Sequence, residues 1–234
     1  MSAIDDRERL IVALDVPSAQ QARALAGRLG EAVRFYKIGL ELFSAGGYFE
    51  LSAWLGARGA RVFADLKLYD IPETVRRAVA NLRASGAHFL TVHAERSIME
   101  AAAREKGELK ILAVTVLTSF DARSIADMGF AGSVQDLVLK RARAALESGC
   151  DGVIASGLEA PAIRAAFGDR LLVVVPGVRP AGAGAQDQKR VVDVAQAFAN
   201  GADYIVVGRP IRDAADPRAA AQALQDTIAS TRRR

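Results

Sequence analysis

Little of this chain's chemistry can come from sulfur or imidazole, because its 234 residues include one cysteine and two histidines. Cys150 has no partner for an intrachain disulfide, and neither a disulfide framework nor a Cys/His metal cluster can be built around it. It reads as a small buried hydrophobe in a reducing compartment. The N-terminal segment "MSAIDDRERLIVALD" is mixed and acidic before a first apolar run of only a few residues. It is neither a signal peptide nor a membrane span, so the expectation is a cytoplasmic protein that makes no use of a membrane. Aromatics are 6% of the chain, and no basic stripe is interleaved with them, which excludes nucleic acid as an expected partner. GxGxxG and P-loop patterns are absent, leaving dinucleotides and ATP without a motif. The formal net charge of +4 suits a small anion, although part of it lies in the terminal "RRR", read as a solvated, frayed end. No Pro/Ser-rich linker or abrupt change of composition divides residues 1–234, which are read as one domain.

What the chain has in quantity is short β-branched runs separated by Ala-rich helical stretches. Eight strands are predicted: Leu10 to Leu14, Arg34 to Ile38, Arg61 to Ala64, His88 to Val92, Lys110 to Val116, Gly152 to Ala155, Leu171 to Val175 and Tyr204 to Val207. Each is short and uniformly apolar, as expected of strands buried on both faces of a parallel sheet. Helices between them have readable ends: Ser18 to Gly30, a helix opening with Pro72 and Glu73 and stopping at Gly86, and another from Ser133 to Gly149. "SGAHFL", "SGCDGV" and "NGADYI" repeat one phrase, a helix stop followed by a strand. Eight such units in this length predict an α/β fold of the closed (β/α)8 TIM-barrel kind, with an open doubly wound sheet as the alternative.

A barrel places its site on the loops at the C-terminal strand ends. Polar residues collect there: Asp15 after strand one, Lys37 near the end of strand two, Asp65 and Lys67 in "FADLKLYDIPET" leaving strand three, His93 after strand four, Thr118 and Ser119 after strand five. Residues two apart on extended chain face the same way, so Asp65 and Lys67 share one side of the mouth, whereas Asp70 falls on a turn that leaves its direction open. Alternating ammonium and carboxylate groups hold one another charged. Such an array offers a proton donor beside a carboxylate that raises the energy of a bound anion, as a reaction through a carbanion requires. His88 reads as a satisfied structural residue.

The late loops differ. "VVVPGVRPAGAGAQDQKR" supplies Gly177, Gly182 and Gly184 with the donors Arg179, Gln188 and Lys189, and "YIVVGRPI" places Gly208 and Arg209 before a helix. Backbone N–H groups at such a junction cradle a phosphate, and strands seven and eight are where many barrels hold one.

"IVALDV", "FYKIGLEL", "DLKLYDIPET", "TVHA", "VPGVRP", "DQKR" and "VVGRPI", in this order from Asp15 to Ile211, resemble the orotidine 5'-phosphate decarboxylase family. The resemblance implies conversion of orotidine 5'-monophosphate to uridine 5'-monophosphate in pyrimidine synthesis, by a homodimer with shared active sites and neither metal nor organic cofactor. It implies Lys67 as proton donor to C6, Asp65 near the departing carboxylate, and Lys37 and Asp70 as the rest of the network. Asp70 and Thr74 would enter the other subunit's site. Asp15 and Lys37 would meet the ribose hydroxyls and Thr118 the pyrimidine edge. Gln188, Gly208 and Arg209 would grip the phosphate, with Pro176 and Arg179 in a loop that closes over it. One departure is "HAERS" at His93 to Ser97, where the family often has a small residue and glycines. Two rivals share parts of the pattern. A magnesium-dependent sugar-phosphate aldolase or decarboxylase can carry the Asp-x-Lys-x-x-Asp element, but Lys37 stands where such a site needs an oxygen ligand. A non-catalytic nucleotide-binding regulator would have no use for Lys37, Asp65 and Lys67 together.

Overall fold

The β-branched runs pair into a parallel sheet that closes on itself. In this computed structural model, which describes residues 4–179, 190 and 192–232, the strands are β1 (Leu10–Ala13), β2 (Phe35–Gly39), β3 (Arg61–Leu68), β4 (Phe89–His93), β5 (Lys110–Val114), β6 (Gly152–Ile154), β7 (Leu172–Pro176) and β8 (Tyr204–Val207). Each pairs in parallel with its sequence neighbour, and β8 pairs with β1. Closure removes the open-sheet alternative and leaves no strand edge.

Around the barrel lie α1 (Ala19–Leu29), α2 (Leu40–Ser44), α3 (Tyr48–Gly56), α4 (Pro72–Ala84), α5 (Arg96–Glu105), α6 (Ala122–Asp127), α7 (Val134–Glu147), α8 (Ala160–Phe167), α9 (Val194–Ala199), α10 (Arg209–Arg212) and α11 (Pro217–Arg232). Their ends follow local chemistry. Ser18 caps α1 by accepting from the Gln21 amide, Pro72 opens α4, and Ser133 with Asp136 forms a capping box on α7, a device worth about 1 kcal/mol. The repeated helix-stop phrase is explained by backbone shape: Gly86, Gly149 and Gly201 have φ of 76, 81 and 95°, where a side chain would be strained. Among the described residues no helix is long and apolar enough to cross a membrane.

Strand alternation splits the interior in two. Leu10, Val12 and Leu14 join the layer between sheet and helices, while Ile11 and Ala13 face into the barrel. Phe35, Phe89 and Tyr204, the first residues of their strands, meet there with ring centroids 5.0–5.9 Å apart, edge-on or tilted. This aromatic plug fills the N-terminal end and leaves the C-terminal end open for chemistry.

Most strand limits differ from the sequence expectation by one or two residues, but β3 differs more. It continues past Ala64 to Leu68, so Asp65 and Lys67 lie within the strand rather than beyond it. Pairing with β2 extends as far as Gly39 opposite Asp65. On the other side the register slips, Ala64 opposing Leu90 and Leu68 opposing Val92. Extra chain on β3 is accommodated as a bulge, which sequence alternation does not reveal.

Candidate active site

A cavity of about 460 Å³ opens at the C-terminal end of the barrel, lined by Asp15, Lys37, Asp65, Lys67, Thr118, Pro176, Gly177, Arg179, Gly208, Arg209 and Arg212 among others. Its charged wall is a chain of contacts. Lys67 Nζ donates to Asp65 Oδ1 at 2.8 Å, while Lys37 Nζ donates to Asp15 Oδ1 at 2.9 Å and stands 3.6 Å from Asp65 Oδ2. Burial alone would raise the Asp65 pKa, yet the neighbouring Lys37 and Lys67 ammonium groups and hydrogen bonds from Lys67 and Thr91 outweigh it, and the carboxyl is held below its usual range. Burial would likewise push Lys37 down, but Asp65 and Asp15 prevail and raise it. Both groups are therefore charged across the neutral range, through mutual pairing in a space where a lone charge would be neutralised.

Backbone geometry supports this wall. Lys67 has φ of 48°, making it the one non-glycine residue with positive φ among those described. Its amide donates to Thr91 Oγ1 at 2.9 Å, and that hydroxyl donates to Asp65 Oδ1 at 2.9 Å. Gly39 leaves room on the other flank, since a Cβ there would crowd Lys37 Nζ at 3.0 Å and Asp15 Oδ1 at 3.2 Å. Arg212 donates to the Asp15 carbonyl at 2.7 Å and holds the β1 end in place. Thr91, Gly39 and Arg212 were not singled out from the sequence. Thr91 was covered by the "TVHA" motif but overshadowed by His93, and the glycine carries a signal only once its neighbours are known.

Across the barrel from β3, the ends of β7 and β8 offer a different surface. Pro176, Gly177 and Arg179 leave β7, and Gly208 precedes α10 with Arg209 as its first residue. The Arg179 amide donates to the Val192 carbonyl at 3.1 Å and the Arg179 backbone pairs with that of Asp193 in an isolated parallel β-bridge, so the two chain segments meet beside the cavity. Arg190 spans toward β5: it pairs with Glu159 at 2.6 Å and donates to the Val116 and Leu117 carbonyls, just before Thr118. Gln188, Lys189, Gly182 and Gly184 lie outside the described residues.

Not every expected residue converges within this chain. Asp70 is exposed and accepts from the Ile71 amide at 2.7 Å, and Thr74 is exposed in the first turn of α4. His93 faces an adjoining groove with Tyr69, to whose ring it stands edge-on at 5.4 Å, rather than the main cavity. Burial, then Arg141 and Lys67, lower its pKa. His88 lies at the opposite end, stacked on Phe89 and beside Arg61. Among the described residues no group of three or more His, Cys, Asp or Glu side chains is placed to hold a metal ion.

Residues 8–224 match the model of the orotidine 5'-phosphate decarboxylase / HUMPS family. The chain belongs to this family. It is 60% identical over 222 residues to orotidine 5'-phosphate decarboxylase of Methylococcus capsulatus, covering 94% of this chain and 92% of that one. The Rhodopseudomonas palustris enzyme of the same name is 52% identical over 231 residues, covering 98% and 97%. Among solved structures, orotidine 5'-phosphate decarboxylase from Lactobacillus acidophilus superposes with a TM-score of 0.84 at 34% identity, covering 94% of this chain and 99% of that one. The corresponding enzyme from Pyrococcus horikoshii gives 0.74 at 28%, with the same coverage. With this kinship and this cavity, the chain is an enzyme of the lyase class.

Proposed function

We propose that the enzyme decarboxylates orotidine 5'-monophosphate to uridine 5'-monophosphate and CO2, with Lys67 as the proton donor. The observation that carries this reading is the Lys67–Asp65–Lys37–Asp15 chain of contacts on one wall of a cavity with Arg179, Gly208 and Arg209 across from it. When the bond from C6 to the carboxyl carbon breaks, its electron pair stays on C6 and CO2 departs. An ammonium at Lys67 Nζ stabilises that charge and then transfers a proton to C6; solvent restores the lysine proton afterwards. Asp65, held ionised, faces the substrate carboxylate and is relieved of that repulsion as CO2 leaves. Lys37 and Asp15 keep the alternation fixed and meet the ribose hydroxyls, and Thr118 meets the pyrimidine edge.

The phosphate is assigned to Gly208, Arg209 and Arg179, with Pro176 shaping the same loop and Gln188 as a further donor. A guanidinium and helix-start amides match a phosphate in charge and geometry. Asp70 and Thr74 are assigned to the site of a second copy in a homodimer. That assignment is supported by their exposure beside Tyr69 and Ile71, which are 69% and 67% exposed, a costly surface for a monomer. Sedimentation showing only monomers at working concentration removes this part of the proposal.

The decisive experiment follows orotidine 5'-monophosphate absorbance in EDTA, with Lys67→Ala as the paired variant. Turnover without metal that falls at least about 10⁴-fold in the variant is expected from loss of both the charge and the proton donor. Binding without turnover in the wild type ends the mechanism while leaving the phosphate assignment; magnesium-dependent turnover of a sugar phosphate instead favours the rival reaction.

A further inference from the structure

We infer that Thr91 is a positioning residue whose single hydroxyl sets both the backbone of Lys67 and the carboxylate of Asp65. The inference rests on the proposed decarboxylation and extends it to a residue that touches no substrate. Thr91 is fully buried in β4, where its neighbours on the strand, Leu90 and Val92, are apolar core. Its residue opposite on β5, Leu112, is apolar as well. A polar side chain at this depth needs partners, and it has two that matter for the reaction.

Hydrogen-bond direction is fixed by inventory. The Lys67 amide can only donate, so Thr91 Oγ1 accepts from it at 2.9 Å. The one hydroxyl proton is then available for Asp65 Oδ1, also at 2.9 Å. Asp65 Oδ1 is the same oxygen that receives Lys67 Nζ at 2.8 Å. Thr91, the Lys67 backbone, the Lys67 ammonium and the Asp65 carboxylate thus close a ring of three contacts.

This ring sits where the β3–β4 ladder slips, between the Ala64–Leu90 and Leu68–Val92 pairs. A regular ladder would give the Lys67 amide a carbonyl acceptor; at the bulge the side chain of Thr91 supplies it. Lys67 itself has φ of 48°, a conformation that a lysine holds only when its surroundings impose it. Without the hydroxyl, the amide loses its acceptor at the bulge, and relaxation of φ swings the ammonium away from the carboxylate.

Three variants test this: Thr91→Val, which keeps shape and β-branching, Thr91→Ser, which restores the hydroxyl, and Thr91→Cys, whose thiol is a poor donor and acceptor. The measurements are kcat and KM for orotidine 5'-monophosphate, and the Kd of uridine 5'-monophosphate by calorimetry. Expected are a fall of about 100-fold in kcat for Val, KM and Kd within about 3-fold of wild type, and rescue by Ser to within about 5-fold. Should Val fail to fold, Cys against Ser gives the same contrast. A Val enzyme as fast as wild type overturns the inference, as does a Ser enzyme as slow as Val, which would mark packing rather than the hydroxyl. A wild type that does not turn over strikes the proposed reaction itself, and the inference falls with it.

Discussion

On β2 and β3 the strands themselves carry charge into the mouth of the barrel, with Asp15 just past β1, whereas from β5 to β8 the same mouth is walled by Val114, Ile154, Pro176 and Val206, with cations only on segments beyond the strand ends. The first half fixes its groups by mutual pairing: Lys37 lies between two carboxylates and Asp65 between two ammoniums. In the second half Arg179 and Arg209 lie beyond β7 and β8, on backbone that follows or precedes a loop. Groups that must meet a reacting atom within a fraction of an ångström belong on strands, and groups that recognise a remote anion can sit on connecting segments. The asymmetry implies a division of labour, chemistry on the β1–β4 side and binding on the β5–β8 side.

Asp65→Asn strikes the comparison hardest. The replacement keeps the shape and one acceptor but leaves two ammonium groups facing a neutral amide. Removal of one member of a buried charged cluster typically costs about 3–5 kcal/mol, and Asp15, still bound to Lys37, reduces that here. We expect kcat to fall by at least ~10³-fold with little change in KM, and the denaturant midpoint to drop. If instead KM rises and kcat survives, the charged half is a binding surface and the division of labour is wrong.

Arg209→Ala probes the other half and has a smaller expected effect. KM should rise about 100-fold and kcat should fall less than about 10-fold, through loss of a charge-assisted grip on phosphate. The sharper reading compares orotidine, which lacks the phosphate: its kcat/KM should be nearly equal in wild type and variant. A variant that loses the nucleoside reaction as well would place Arg209 among the reacting groups.

How much of this was legible beforehand follows the same line. The barrel could be read because a parallel strand buried on both faces writes a continuous apolar run, and because glycine stops such as Gly149 recur before new strands. Asp65 and Lys67 were legible as sharing one side of the mouth, and they meet at 2.8 Å, but through the bulge and the positive φ of Lys67 rather than through regular extended chain. What failed was the end of β3, since a polar, bulged strand terminus resembles a loop in sequence. Thr91 was hidden because its partners are set by that bulge and not by its own strand. Asp70 and Thr74 could not be placed by one chain's geometry, consistent with their exposure.

The smallest expected effect concerns the plugged end of the barrel, far from either half of the mouth. His88 is stacked on Phe89 and lies near Arg61 and Lys110; burial first, then these two cations, depress its pKa to about 4. A depressed histidine contributes stability that is fully present above its unfolded value near 6.5 and is lost as pH falls toward about 4. Asp65 works lower, because its folded pKa is below the usual carboxylate range: its contribution is intact above about 4 and fades only beneath that. Lys37 is the mirror case, intact below about 10.5 and lost only as pH rises through its raised folded value. Stability between pH 6.5 and 4 should therefore decline through the two depressed histidines, His88 at the plugged end and His93 in the groove beside the mouth, while the paired Asp65 and Lys37 hold. His88→Gln should flatten that decline by on the order of 1 kcal/mol, discounted for partial exposure, in urea midpoints measured across the interval, with kcat at pH 7.5 unchanged. An unflattened decline would move the acid sensitivity to His93, and a decline that persists in a variant lacking both histidines would end the claim that pairing protects the reactive charges.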